Sequence, residues 1–229
     1  MARQGAKNPI RAILTGATGM VGEGVLHECL LHPDVERVLV IGRRPCGVTH
    51  AKLREIVLPD LYDWSPIAAE VSGYNACYFC LGVSSVGMSE ANYTRVTHDL
   101  TLDAAELLAR ANPDMVFCYV TGSGTDGTEK GRSMWARVKG KTENGLLLLP
   151  FKRAYMFRPG YIHPTRGLKN AHKFYRALTW LYPVARALLP GAVVSLRELG
   201  LAMIHAARAE FEPAILGSKE IKALARQRD

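Results

Sequence analysis

The sequence of 229 residues predicts an α/β fold in which helices cover both faces of a doubly wound parallel sheet. Three observations predict this fold. Short apolar runs alternate with longer segments of helical periodicity, the runs lack the polar alternation of a half-exposed strand, and three evenly spaced glycines separate the first run from the first helix. The length suits a single domain.

Six strands and four helices follow from these patterns. The strands are predicted at 10–16, 37–42, 53–58, 75–82, 114–122 and 153–160. The helices are predicted at 20–32, 89–113, 133–149 and 195–210. The second helix is bounded by Ser89, a favourable N-cap residue, and by Pro113, which cannot continue a helix. Because crossovers between parallel strands are right-handed, the strands are expected to form one doubly wound sheet.

The domain is predicted to consist of a core at 1–165 and a small helical C-terminal region at 166–229 that covers a substrate cleft. Within that region, residues 168–193 are apolar but are interrupted by two prolines and an arginine. No stretch approaches the roughly 18 uncharged apolar residues of a membrane span. We interpret these residues as a helix over the cleft, with an interfacial amphipathic segment as the alternative. Ser195 and Glu198 predict a capping box at the start of the last helix.

The composition is that of an ordinary globular protein, with 48% hydrophobic and 22% charged residues, but the charge is uneven. Residues 1–129 carry 10 basic and 15 acidic residues, a net charge of −5, whereas residues 130–229 carry 19 basic and 6 acidic residues, a net charge of +13. A basic half favours an anionic partner, such as a phosphorylated cofactor, an acidic substrate or a membrane surface. No nucleic-acid-binding motif accompanies these charges, so nucleic acid is disfavoured.

The five cysteines are expected to be reduced thiols, which indicates a cytosolic protein. The first strand is not preceded by the apolar run of a signal peptide, and we expect none. Cys77 and Cys80 have CxxC spacing, but they lie in a predicted strand that directs their side chains to opposite faces, so a structural role is favoured over a redox role. The histidines show no ligand spacing, and no metal site is expected.

The segment "TGATGMVGEG" places Gly16, Gly19 and Gly22 between the first strand and the first helix. The first glycine permits a tight turn, the second lets a pyrophosphate approach the backbone, and the third lets helix and strand pack closely. Free N–H groups at the helix N-terminus attract phosphate. The other residues of this turn that we expect to contact a dinucleotide are Thr18, Met20 and Val21.

The end of the second strand predicts which dinucleotide is bound. Proteins that prefer NAD usually carry a carboxylate there, but this chain has Gly42, Arg43 and Arg44. Two guanidinium groups can bind a 2′-phosphate, so we expect NADP(H), with NAD(H) less favoured. Leu81 and Gly82, at the end of the fourth strand, are expected beside the adenine and ribose.

The glycine turn, the arginine pair, "FCLG", "VTGSGTDG", "VKG" and "FRPG" occur in this order. In this set the chain resembles the atypical short-chain dehydrogenases/reductases with a Rossmann fold. Within them, it resembles the small NADPH-binding oxidoreductases related to the human Tat-interacting protein, close to the NAD-dependent epimerase/dehydratase group. The resemblance covers residues 10 to about 165.

The resemblance implies a catalytic Ser, Tyr and Lys. Ser123 matches the Ser and Lys139 the Lys, which also binds the nicotinamide ribose, but Trp135 stands where the family has Tyr. An indole N–H can donate a hydrogen bond but is not a usable acid. The candidate proton donors in its place are Tyr161, His163 and Lys139 itself.

The sequence therefore predicts an NADP(H)-dependent oxidoreductase that acts on a small carbonyl or alcohol substrate, with altered proton transfer. One alternative is a sensor that binds NADPH and a protein partner without turnover. The other is a peripheral membrane protein that uses the basic, apolar tail. Helices of this fold often pair, so a homodimer is a further option.

Overall fold

A seven-stranded parallel sheet forms the centre of the fold, as a computed structural model shows for residues 8–165, 167–170, 191–208 and 210–227. Its strands are β1 (Ile10–Thr15), β2 (Val35–Gly42), β3 (Leu53–Val57), β4 (Ala76–Phe79), β5 (Val116–Val120), β6 (Arg153–Arg158) and β9 (Ile215–Gly217). Two further strands, β7 (Tyr161–His163) and β8 (Val193–Ser195), pair in parallel as a separate small sheet.

The described helices are α1 (Met20–Leu31), α2 (Glu90–Thr94), α3 (Leu100–Ala111), α4 (Met134–Leu148), α5 (Leu196–Ala206) and α6 (Ser218–Ala225). A π-helical turn, Arg95–Asp99, joins α2 to α3, so the helix predicted at 89–113 is continuous but not regular. A short 3₁₀ turn lies at Ser65–Ile67.

The strand order is β3-β2-β1-β4-β5-β6-β9, with every pairing parallel. The chain moves outward from β1 to β3 on one side, then returns to place β4 on the other side of β1. The order therefore reverses between β1 and β4, and ligands of such sheets bind at the carboxyl ends of the strands beside this point. The predicted doubly wound α/β fold is confirmed.

Two apolar layers cover the two faces of the sheet. On one face, α1, α5 and α6 pack against strand residues such as Leu14 and Tyr78. On the other face, α3, α4 and the loop that carries Trp64 pack against residues such as Ile13 and Phe79. Successive residues of each strand alternate between the layers, which explains why the strands read as uninterrupted apolar runs.

The C-terminal part contains structure that the sequence pattern did not reveal. The short strands β7, β8 and β9 and the helix α6 were not predicted, and β9 extends the main sheet beside β6. The apolar stretch predicted as a helix at 168–193 lies mostly outside the described residues. The capping box is confirmed: the Ser195 hydroxyl accepts the Glu198 N–H at 3.1 Å, and the Glu198 carboxylate accepts the Ser195 N–H at 2.8 Å.

Helix α5 lies directly against α1, and a glycine makes this approach possible. A Cβ atom placed on Gly24 would overlap the side chain of Leu196, which is 1% exposed. Gly24 is therefore a packing glycine. Gly24 sets how closely α1 approaches α5, whereas Gly16, Gly19 and Gly22 lie in the turn and the first residues at the N-terminus of α1.

We expect the Gly24→Ala variant to lower the free energy of unfolding by about 1–3 kcal/mol because the added methyl overpacks the contact with Leu196. If the methyl made no such contact, alanine would instead stabilise the helix by roughly 0.5–1 kcal/mol. The sign of the change in the free energy of unfolding therefore shows whether the contact exists. Thermal denaturation of Gly24→Ala, Leu196→Ala and the double variant checks this. The double variant should lose less than the sum of the two single losses, and strict additivity would contradict the contact.

Candidate functional site

The glycine turn between β1 and α1 lies at the point where the strand order reverses. Gly16 has a φ of 75°, and a Cβ atom there would lie 2.5 Å from the carbonyl oxygen of Cys80. A Cβ atom on Gly22 would overlap the Gly16 carbonyl oxygen, and the Gly19 N–H donates to that same oxygen at 2.9 Å. Backbone thus packs on backbone, and only glycine fits at Gly16 and Gly22.

The N-terminus of α1 is open for an anion. Gly19 is the N-cap, and no side chain caps the N–H groups of the first turn, which include those of Met20 and Val21. These N–H groups and the positive end of the helix dipole favour a phosphate. The nearest atom to a Cβ on Gly19 would be 3.4 Å away, so the turn leaves room for a ligand. The cradle therefore fits a dinucleotide pyrophosphate.

An open cleft of about 400 Å³ continues from this turn, which we call the ribose cleft. Thr18, Arg43, Arg44 and Leu81 line it, and both arginines are exposed. The residues that line this cleft include no carboxylate. The structure thus brings the glycine turn, the arginine pair and the end of β4 together at one edge of the sheet.

A second cleft of about 570 Å³, which we call the base cleft, adjoins the first and is mainly apolar. Gly82 lies here, together with Asp60 and Leu61, which sequence reasoning missed. These two residues come just after β3 in the chain. Because parallel strands end at the same edge of a sheet, that position could have placed them at the cleft. The Asp60 carboxylate accepts the backbone N–H of Tyr62 at 2.9 Å.

Lys139 extends from α4 toward the same edge. Its Nζ atom donates to the Tyr119 hydroxyl and to the Val120 carbonyl oxygen, each at 3.3 Å, and lies 4.9 Å from the centre of the Tyr119 ring. The residue is 8% exposed. Burial lowers the pKa of the Lys139 ammonium, although interactions with Tyr93 and Glu143 act in the opposite direction.

A buried carboxylate fixes α4 relative to the strand ends. Glu143, one turn after Lys139, is fully buried and accepts hydrogen bonds from Arg158 Nε at 3.0 and 3.1 Å, from Arg158 Nη2, and from the Thr121 hydroxyl at 2.6 Å. Arg158 ends β6 and Thr121 follows β5, so one side chain joins the helix to both strands. Such a pair positions elements more than it stabilises them.

The remaining residues implied by the family pattern lie on the loop after β5 and at the start of α4. Ser123 is exposed, and its backbone N–H donates to the Pro159 carbonyl oxygen at 2.8 Å. The Trp135 ring lies 3.5 Å from the Cβ position of the adjacent Gly124. The loop therefore brings Gly124, the residue after Ser123, against the indole, while Lys139 lies one helical turn further on the same helix as Trp135.

Tyr161 and His163 belong to β7, in the small sheet rather than the main one. The Tyr161 N–H donates to the Ala192 carbonyl oxygen at 2.9 Å, and the two rings are 6.5 Å apart. Their role as proton donors stays a prediction.

The CxxC pair contributes no reactive group to this edge. Cys77 packs in the apolar layer on one face and Cys80 against the other, as the strand period predicts. Burial raises the pKa of the Cys80 thiol to about 12. Within the described ranges there is no cluster of three metal-ligating side chains, and no helix there is both long and apolar enough to cross a membrane.

A parallel sheet with a glycine turn at its switch point is the architecture of NAD(P)-binding Rossmann proteins. The family model described as the NAD dependent epimerase/dehydratase family matches residues 12–134, more than half of the chain. The chain therefore belongs to this family, and the predicted resemblance is confirmed. The enzyme WbmG of Bordetella bronchiseptica, solved in complex with NAD, has a similar fold, with a TM-score of 0.66 and 13% identity over 98% of this chain and 79% of its own.

Curated relatives share more sequence. Protein fmp52, mitochondrial, of Emericella nidulans is 31% identical over 159 residues, and the match spans 65% of each protein. Protein FMP52, mitochondrial, of Candida glabrata is 26% identical over 228 residues, which span 93% of this chain and 94% of the relative. These names contradict our expectation of a cytosolic protein. Free thiols indicate a reducing environment, but they do not identify the compartment.

The buried ammonium predicts that Lys139 lowers stability. Its pKa is lower in the folded than in the unfolded protein, so protonation favours unfolding. The penalty is full below the folded pKa, shrinks as the pH rises above that pKa, and disappears above the ordinary value of 10.5. We expect Lys139→Met to raise the free energy of unfolding at pH 7 by about 1 kcal/mol, or about 2–4 °C in Tm. Thermal denaturation at pH 7 and pH 10 checks this. The prediction is contradicted if Lys139→Met has a lower Tm than the wild type at pH 7, or if its gain in Tm is larger at pH 10 than at pH 7.

Proposed function

We propose that this protein binds NADP(H) and acts as an oxidoreductase on a small carbonyl or alcohol substrate. The observation that supports NADP(H) binding is the lining of the ribose cleft. This cleft adjoins the glycine turn, and its lining includes two exposed arginines and no carboxylate. A 2′-phosphate there meets two cations instead of the acidic residue that would repel it. Each charge-assisted hydrogen bond contributes roughly 1.5–3 kcal/mol, enough to favour NADP(H) tenfold or more.

The residues around Lys139 support the second part of the proposal. When bound, the cofactor would supply a hydride. Lys139 binds the nicotinamide ribose, as its place in the family pattern implies, and its lowered pKa makes it a candidate proton donor. Ser123 holds the substrate oxygen, and the indole N–H of Trp135 orients that oxygen without protonating it. Tyr161 and His163 are the other candidate donors.

Trp135 itself favours a second candidate, a protein that binds NADPH and reports its level to a protein partner without turnover. Loss of a general acid typically lowers a rate by about 10²–10⁴-fold. A site that keeps its cofactor cradle while losing its acid is suited to binding. Turnover across a panel of aldehydes, ketones and quinones, followed by the absorbance of NADPH, separates the two candidates.

The arginine pair should determine the choice of cofactor. We expect the Arg43→Ala/Arg44→Ala variant to bind NADPH at least tenfold more weakly, because two cations are lost from the ribose cleft, while NADH binding changes less than threefold. Isothermal titration calorimetry measures both constants. The control is Arg110→Ala/Lys152→Ala, which removes the same charge from exposed positions elsewhere on the surface. A wild-type protein that binds NADH as tightly as NADPH would refute the proposed preference.

Restoring the family residue tests the role of position 135. If the site is otherwise competent, Trp135→Tyr should raise the single-turnover rate of NADPH oxidation by at least tenfold, because a phenol next to Lys139 can donate a proton. Stopped-flow absorbance gives the rate, and Trp135→Phe, which lacks an acidic proton, is the control. An equal gain in the Phe variant would mean that the indole only blocks the substrate.

A further inference from the structure

A third open cleft, of about 710 Å³, is lined by Arg44 but shares no residue with the base cleft, and we call it the outer cleft. It shares Thr18 and Arg44 with the ribose cleft, so the two clefts adjoin along these residues. Arg43 instead lines the ribose and base clefts. A phosphate bound by Arg44 would therefore also border the outer cleft.

The outer wall of this cleft comes from a distant part of the chain. Lys169 and Asn170 line it together with residues 44–48 of the loop after β2. Both residues donate their backbone N–H groups to the Glu23 carboxylate, each at 2.7 Å. Glu23 lies in the first turn of α1, the helix that begins at the glycine turn. One carboxylate thus fastens residues 169–170 to the helix that forms the phosphate cradle.

The charges in the outer cleft favour a phosphate monoester. Arg44 and Lys169 are exposed, and neither forms an ion pair with the part of the chain that the structure describes. Glu23 also lines this cleft, but its carboxylate accepts two backbone N–H groups, and the cations outnumber it two to one. A phosphate monoester carries a charge of roughly −1.5 to −2 at pH 7, which two cations that line the same cleft can bind.

We propose that Lys169, held in place by Glu23, binds the 2′-phosphate of NADP(H) together with Arg44. This inference rests on the proposed function and names a specificity-determining residue for it. Arg43, which lines both the ribose and the base clefts, supplies a further cation on the base side of the same phosphate. The subsite is complete only when residues 169–170 are attached to α1.

A pair of small probes isolates this subsite. Adenosine 2′,5′-bisphosphate and 5′-AMP differ only in the 2′-phosphate, and neither carries the nicotinamide that reaches Lys139. We expect Lys169→Ala to weaken binding of the bisphosphate by about five- to tenfold and to change binding of 5′-AMP by less than about twofold. Lys152→Ala, which removes the same charge from another exposed lysine, should change neither constant by more than about twofold.

Glu23→Gln distinguishes attachment from simple electrostatics. Removal of a negative charge near a phosphate would by itself tighten binding of the bisphosphate. If Glu23 acts by holding Lys169, the same change weakens that binding by about threefold or more, because an amide oxygen is a weaker acceptor for two N–H groups. Titration calorimetry on the full chain shows whether Glu23→Gln binds the bisphosphate more tightly or more weakly than the wild type, and Tm is measured in parallel.

The outcomes separate this inference from the proposed function. A wild-type protein with no preference for the bisphosphate over 5′-AMP overturns both. A preference that Arg44→Ala removes and Lys169→Ala leaves intact overturns only the role of Lys169. Tighter binding in Glu23→Gln overturns the attachment, and an equal loss in Lys152→Ala reduces the effect to general surface charge.

Discussion

The contact of backbone with backbone among Gly16, Gly22 and the carbonyl oxygen of Cys80 is the constraint on which the rest of the site depends. It brings the start of α1 against the ends of β1 and β4 with no side chain between them. Free N–H groups consequently face the edge of the sheet where the strand order reverses. The ribose and outer clefts both include residues of this turn, and the base cleft adjoins the ribose cleft through Arg43, Leu61 and Leu81.

The opposite side of the site is organised by ionic contacts instead. Glu143 joins α4 to the ends of β5 and β6, and a second ion pair, between Arg137 Nη2 and Glu90 at 2.7 Å, joins α4 to α2. Both act on the helix that carries Trp135 and Lys139. This half of the site thus uses charged side chains to hold a helix whose own buried ammonium opposes folding, a common balance between stability and function.

The sequence was informative where a local rule applies. The glycine turn, the long strands and the box at Ser195 each depend on neighbouring residues, and all three lie as predicted. Strands β7, β8 and β9 have three residues each, too few for a period to appear. Asp60 was missed because its position matters only once β3 is placed in the sheet. The contact of Glu23 with Lys169 spans 146 residues, and no local pattern encodes it.

The π-helical turn at Arg95–Asp99 also constrains how this chain can change. Such a turn accommodates one extra residue, and each residue of a helix corresponds to a rotation of about 100°. Deleting one residue there would restore a regular helix but swing α2 around its axis, so that Glu90 would no longer face Arg137. The extra residue of the π-helical turn therefore sets which side of α2 faces α4, and the ion pair between Glu90 and Arg137 depends on it.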